Sequence, residues 1–256
     1  MRVRITATTR EPIWFASDMI IPLITISGYV FLYKALGATQ FTAFVVLGGV
    51  MIAFWTNILW NMAAQFYWEK EQGNLEMYFV SPAPKMAILL GMALGSIINT
   101  SLRAGIILVL GTYLFQIHFI LGNPILPLTI FFLSLVALYA LGMLFASLFM
   151  LYGREAWHTA NLLQDPVYFV GGFYFPIFSG IAPFWLQLAA SIIPVSFSLD
   201  GLRDLLVSNE GFSFAVQRDI IALIVFIAIL LPLSKIMLSY MENLGKKEGR
   251  LTLRWQ

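Results

Sequence analysis

Long charge-free runs separated by short charged breaks set the pattern of this chain. Met19–Tyr33 carries no charge, and the run extends back past Asp18 to Phe15. Ala35–Trp68 is also charge-free and longer than a bilayer requires, so a helix is expected near Phe41–Phe66. Between Lys85 and Arg154 the only charge is Arg103, and Gly122-Asn123-Pro124 divides that stretch into Met86–Ile117 and Leu126–Leu151. Trp157–Phe178, interrupted by Asp165-Pro166, and Ala215–Tyr240, which carries Arg218, Asp219 and Lys235, complete the set of expected spans. A helix of roughly 20 mostly apolar residues crosses the hydrocarbon core. The pattern therefore predicts an all-α polytopic membrane protein with six transmembrane helices.

Ser179–Leu199 is apolar too, but Pro183 and Pro194 break it. Charge placement decides how to read it. Arg2, Arg4 and Arg10 precede the first run, and Lys235, Lys246, Lys247, Arg250 and Arg254 cluster at the other end. Basic residues favour the cytoplasmic side, so both termini are expected there and the number of crossings is even. Lys70, Lys85 and Arg154 then fall inside, while Lys34, Arg203 and Arg218 fall outside. A seventh crossing would export the C-terminal cluster, so residues 179–207 are read as an outer re-entrant segment. Arg2 to Ala38 also mimics a signal peptide, with "ALGA" at Ala35–Ala38 as the cleavage site. Cleavage would leave five spans and break the parity, so residues 1–15 are read as an interfacial arm.

Composition sharpens the class. Of 256 residues, 60% are hydrophobic and 11% charged, against about a quarter charged in soluble domains. Too little polar surface exists to coat a globule in water, and the chain reads as one membrane domain, 1–256. With no cysteine, disulfides, thiolate nucleophiles and cysteine metal sites are excluded.

The break at Trp68–Lys85, "WEKEQGNLEMYFVSPAPK", has a different character. Gly73 can end the extension of the second span, and Asn74 suits the N-cap of a short helix. Glu76 in its first turn complements the helix dipole, and Pro82 and Pro84 forbid continuation. The result is a stub presenting Leu75, Met77, Tyr78 and Phe79. Such a stub fits a groove on a cytoplasmic partner, or lies on lipid headgroups.

"EKEQGNLEMYFVSPAPKMAILLGMALG" resembles the cytoplasmic loop of ABC type-2 transporter permeases. "REPIWF…IIPL" (Arg10 to Leu23) is similar to that family's N-terminal arm, and "PIFSGIAPFWLQLAASIIPVSFSLDGLRDLL" (Pro176 to Leu206) to its outer re-entrant segment. Asn74 departs from the Thr of many relatives, although an N-cap role survives that change. The resemblance implies a permease in the cell membrane that pairs with a second permease copy or homologue. It implies that ABC ATPase subunits dock on the loop, the coupling helix, through Glu69, Glu71, Gly73, Asn74, Leu75, Glu76, Tyr78, Phe79, Ser81 and Pro82. No G-x-x-x-x-G-K-[ST] phosphate loop occurs. The chain is therefore expected to hold no cofactor and no metal, with ATP and Mg bound by the partner ATPase. The expected substrate is an amphipathic, drug-like or lipid-like molecule moved outward. A lipid-linked glycan or polysaccharide is the alternative within the family.

Other classes fit less well. An intramembrane enzyme needs a convergent nucleophile, base or metal set, but His118 and His158 fall on opposite membrane sides and no carboxylate cluster or G-x-S-x-G appears. An ion-coupled secondary transporter usually shows several intramembrane acids and internal repeats. Here one deep acid is found, and no repeat.

Within the spans, Asn57, Asn61 and Gln65 recur every four residues, as one stripe on a regular helix. They read either as helix–helix glue or as a polar wall on the substrate path. Gly48 and Gly49 above them permit another helix to approach closely. Arg103 and Asp165 are the most deeply placed charges, either pairing with each other or separately hydrated. Phe169, Phe173, Tyr174, Phe175, Phe178, Phe184 and Trp185 crowd the end of the fifth span and its continuation. Phe169, Phe173 and Tyr174 are the candidates for the apolar part of the path, as the family resemblance implies.

Overall fold

The computed structural model describes residues 12–64, 68–69, 72–73, 85–120, 122–152, 154–208 and 211–248. Within them the charge-free runs become helices. Helix α1 is Pro12–Ala35, α2 is Thr42–Asn57, α3 is Lys85–Phe115, α4 is Ile125–Tyr152 and α5 is Arg154–Val170. Two short helices follow, α6 (Phe184–Ala190) and α7 (Pro194–Leu206), then the long α8 (Phe214–Glu248). A 3-10 turn, Thr39–Phe41, leads into α2, and α2 continues as a π-helix over Ile58–Ala63.

The breaks lie where the chain chemistry requires them. Between α3 and α4, Asn123 Oδ1 accepts the backbone N–H of Ile125 at 3.0 Å, which satisfies one of the free donors at a helix start. Pro194 opens α7, where its missing N–H costs nothing. Pro22, Pro166 and Pro232 sit inside α1, α5 and α8. Proline is tolerated there because membrane helices can re-satisfy the freed backbone groups locally.

Four helices among the described residues are long and apolar enough to cross a bilayer: Thr39–Ala63, Met86–Phe115, Ile125–Phe149 and Phe214–Gly245. The fifth expected span falls short of that measure. In α1, which begins at Pro12, the stretch with described side chains is the apolar Ile20–Ala35. In α5, Arg154, Glu155, His158, Asn161, Gln164 and Asp165 dilute the apolar run. Helices α6 and α7 meet at 105° and pass the span test only as a bent pair.

Helix α8 lies along α4, α7 packs against both, α3 flanks α2, and α1 leans on α2 and α3. Met51, Trp55 and Ile58 of α2 meet Leu138 of α4, Leu199 of α7 and Leu223 of α8 in the main core. Lipid tails are as apolar as leucine, so this core is held by close packing rather than by escape from water. Gly48 and Gly49 make that packing possible. A Cβ on Gly48 would lie 1.7 Å from the carbonyl oxygen of Phe173, and one on Gly49 would lie 2.0 Å from Cδ1 of Ile26 in α1. The close approach expected at these glycines is present, made by α1 on one side and the segment after α5 on the other.

Candidate functional site

Of the loop Trp68–Lys85, the structure describes Trp68, Glu69, Gln72 and Gly73, together with the helical backbone from Lys85. The N–H of Trp68 bonds to the carbonyl of Ala64 at 3.1 Å, and that of Gln72 to Trp68 at 3.0 Å. Both bonds have the four-residue spacing of an α-helix. Gly73 then adopts a φ of 74°, the left-handed conformation with which glycine ends helices. Glu71, Asn74, Leu75, Glu76, Tyr78, Phe79, Ser81 and Pro82 lie outside the described residues.

The polar residues of the second span are separated rather than aligned. Asn57 is buried, and its Nδ2 donates to Tyr139 OH of α4 at 2.9 Å and to Ser96 Oγ of α3 at 3.2 Å. Asn61 is exposed, and Gln65 lies outside the described residues. The cause is local: the backbone widens over Ile58–Ala63, with the N–H of Ala64 bonding to Leu59, five residues back. Four residues no longer complete a turn there, so Asn57 and Asn61 do not share one face as a regular α-helix would have them.

Two other residues of this helix form the ordered polar seam. Thr56 Oγ1 and Tyr168 OH lie 2.8 Å apart, and Trp60 Nε1 donates to Gln164 Oε1 at 3.0 Å. One step of four residues on α2 matches one step of four in the opposite direction on α5, so the pairs form a two-rung ladder between antiparallel helices. Asn161, Leu162, Asp165 and Phe169 are exposed on the neighbouring face of α5. Arg103 is half-buried on α3. The ion pairs among the described residues do not include one between Arg103 and Asp165.

At the end of α5 the aromatic residues divide. Phe169 is exposed and meets Phe175 edge-on at 5.4 Å. Phe173 is fully buried, in edge contact with Tyr168 at 5.3 Å. Tyr174 stacks on Tyr29 of α1 with centroids 4.1 Å apart, and Tyr33 OH donates to the Tyr174 carbonyl at 3.2 Å. Of the three aromatic candidates, Phe173 is a packing residue, Tyr174 joins α5 to α1, and Phe169 stays accessible.

A charged cluster beneath the segment after α5 escaped the sequence reading, which treated Arg203 and Arg218 as loop charges. Arg203 of α7 is buried. Its guanidinium donates to the carbonyls of Phe44 at 3.0 Å, Phe173 at 3.1 Å and Phe175 at 3.4 Å, and lies 5.4 Å from the ring centre of Phe44. One side chain thus ties α2, α7 and the chain after α5 together. Arg218 of α8 bridges Asp200 of α7 and Asp219, and rests on Phe178 at 4.9 Å. Asp200, Asp204 and Asp219 bring carboxylate oxygens within 4.8 Å of one another. They are the one set of three possible metal ligands among the described residues, and Arg218 already balances two of them. The Oδ2 atom of Asp219 is buried without a hydrogen-bond partner among the described residues. A cavity of about 270 Å³ opens between Phe44, Ser179, Asp200, Arg203, Asp204 and Arg218.

Comparison with known proteins adds a separate line of observation. Residues 2–207 match the family described as ABC-2 type transporter. The chain is 25% identical over 202 residues to the inner membrane transport permease YadH of Escherichia coli K12, covering 75% of each chain. It is 30% identical over 134 residues to the probable multidrug ABC transporter permease YbhR of the same strain, covering 52% of this chain and 35% of that protein.

Proposed function

The chain belongs to the ABC-2 type transporter family, as a multi-pass plasma-membrane permease subunit and not itself the ATPase, and from that premise we propose that it exports amphipathic, drug-like or lipid-like molecules. Two copies of this chain, or this chain and a homologue, form the path. A separate ABC ATPase binds ATP and Mg and drives the cycle. The chain crosses the membrane six times, through α1, α2 with its π extension, α3, α4, α5 and α8. The bent α6–α7 pair, within residues 179–207, dips into the outer leaflet and returns, and both termini face the cytoplasm. The basic residues near the two ends support that orientation.

The observation that carries the substrate class is the uncovered face of α5 beside the ladder. Asp165 presents a polar group there, Leu162 and Phe169, three and four residues away on the same helix, present apolar surface, and Asn61, next to Trp60 in sequence, is exposed as well. A charged group in the membrane usually faces protein or water rather than lipid, so Asp165 on this face is consistent with a hydrated path enclosed by a second subunit. Polar and apolar patches on one wall suit a ligand with a polar head and an apolar body. The word "multidrug" in the name of the relative YbhR agrees with such a ligand.

The ATPase docks on the loop through Glu69, Glu71, Gly73, Asn74, Leu75, Glu76, Tyr78, Phe79, Ser81 and Pro82. Phe79→Asp tests this. If Phe79 fills a groove on the ATPase, a charge buried there without a partner lowers ATPase association by about tenfold or more. The variant should insert normally, while ATP-dependent efflux of amphipathic dyes from proteoliposomes disappears. Undiminished efflux would remove the docking assignment, and dye movement on an ion gradient without any ATPase would replace the reading with a secondary transporter.

A further inference from the structure

Helix α8 carries an exposed polar stripe. Lys235, Ser239 and Asn243 recur every four residues, and Tyr240 lies beside them, all exposed. With Pro232 and Ile236 they line a shallow depression along one face of the helix. Among the described residues, none of the four polar side chains has a hydrogen-bond or ion-pair partner. The surroundings are apolar: Ile229, Leu233 and Ile236 of the same helix are exposed as well. An ammonium group in such a setting must reach the interface or acquire a counter-charge.

We propose that this stripe binds the headgroup of an anionic phospholipid. Lys235 pairs with the phosphate, and Ser239, Tyr240 and Asn243 hydrogen-bond the phosphate and glycerol oxygens. The acyl chains run along Ile229, Leu233 and Ile236. Geometry and charge both support this occupant. The polar groups extend about 12 Å along the helix axis, and they descend toward the end of α8 that carries Lys246 and Lys247. An acidic headgroup at that interface therefore meets a lone cation with donors below it and apolar surface above it. A second protein helix would also need to match an isolated charge with an acid at the same depth, whereas a lipid brings its charge to the correct level. The inference rests on the membrane placement of α8 and does not depend on substrate, direction of transport or the ATPase.

The test uses the full-length permease alone, in phosphatidylcholine nanodiscs containing a minor fraction of phosphatidylglycerol. Native mass spectrometry counts the lipids retained on the released protein. The unaltered chain should keep phosphatidylglycerol in preference to phosphatidylcholine. Lys235→Gln should lower that preference about fivefold, the scale of one lysine acting on an anionic membrane surface, while Lys235→Arg retains it. All six lining positions are exposed, so these variants should fold. Unchanged retention by Lys235→Gln would overturn the proposal. So would a benzoylphenylalanine at position 239 that cross-links to a polypeptide, and not to lipid, in cell membranes.

Discussion

Helices α2 and α8 are both long and apolar, yet the inner half of α2 and the C-terminal half of α8 hold polar residues in different ways. Of the most hydrophobic window of each, 78% is buried inside the chain in the first and 17% in the second. On α2, Asn57, Thr56 and Trp60 each reach a partner on another helix. On α8, Lys235, Ser239, Tyr240 and Asn243 face outward. Burial within protein obliges a polar group to find a protein partner, because the alternative is an unsatisfied dipole in a medium without water. A helix face turned to lipid is released from that demand only where a headgroup or interfacial water can answer it. A polar residue in a membrane helix is therefore informative only once its neighbours are known.

The contrast gives an order of expected effects. Arg203→Met should be the most damaging, since it leaves the carbonyls of Phe173 and Phe175 without this donor and removes the second bond to Phe44 of α2. Each unsatisfied buried acceptor costs about 1–3 kcal/mol, so a loss of about 3 kcal/mol in detergent unfolding is expected. Lys235→Gln, also a removed cation, should leave stability in neutral lipid unchanged. Equal losses in the two variants would end the distinction between the regions. Gly48→Ala comes next, because the new methyl meets the backbone of Phe173 and not a side chain that can swing away. Overpacking of this kind costs about 1–3 kcal/mol. Ser239→Ala on α8 should stay within about 0.5 kcal/mol, and a cost comparable to that of Gly48→Ala would place α8 against an unseen protein neighbour.

Much of the helix layout is legible in the sequence, since each long apolar run becomes a helix. The interruption at Gly122-Asn123-Pro124 falls between α3 and α4, and the prolines at 183 and 194 bracket α6. Gly48 and Gly49 mark a close approach that their lack of side chains makes possible. What periodicity missed has definite causes. The Asn57–Asn61–Gln65 stripe assumed 3.6 residues per turn, and the π segment changes that number where it mattered. Arg203 looked like an outer-loop charge because its burial depends on α7 being covered by the segment after α5, and Arg218 because its partners Asp200 and Asp219 are brought to it only by the packing of α7 on α8. The run "SLDGLRDLL" did carry a signal: an arginine between two acids, four residues apart, inside an apolar stretch. The α2–α5 ladder was also recoverable. Thr56 and Trp60 share the spacing of Gln164 and Tyr168, a match that appears only when two helices are read against each other.

The most direct test of the proposed path compares two asparagines four residues apart on that same helix. Asn57→Leu removes two internal hydrogen bonds, each worth about 0.6 kcal/mol in membrane proteins. It should lower thermal stability by about 1 kcal/mol while the complex keeps its substrate profile. Asn61→Leu removes an exposed polar group with similar volume, so stability and basal ATP hydrolysis by the reconstituted permease–ATPase complex should hold. Its stimulation by amphipathic substrates should fall severalfold. Substrate stimulation unaltered in Asn61→Leu, with lowered stability instead, would make Asn61 a packing residue and contradict a path along the exposed edge of α2 and α5.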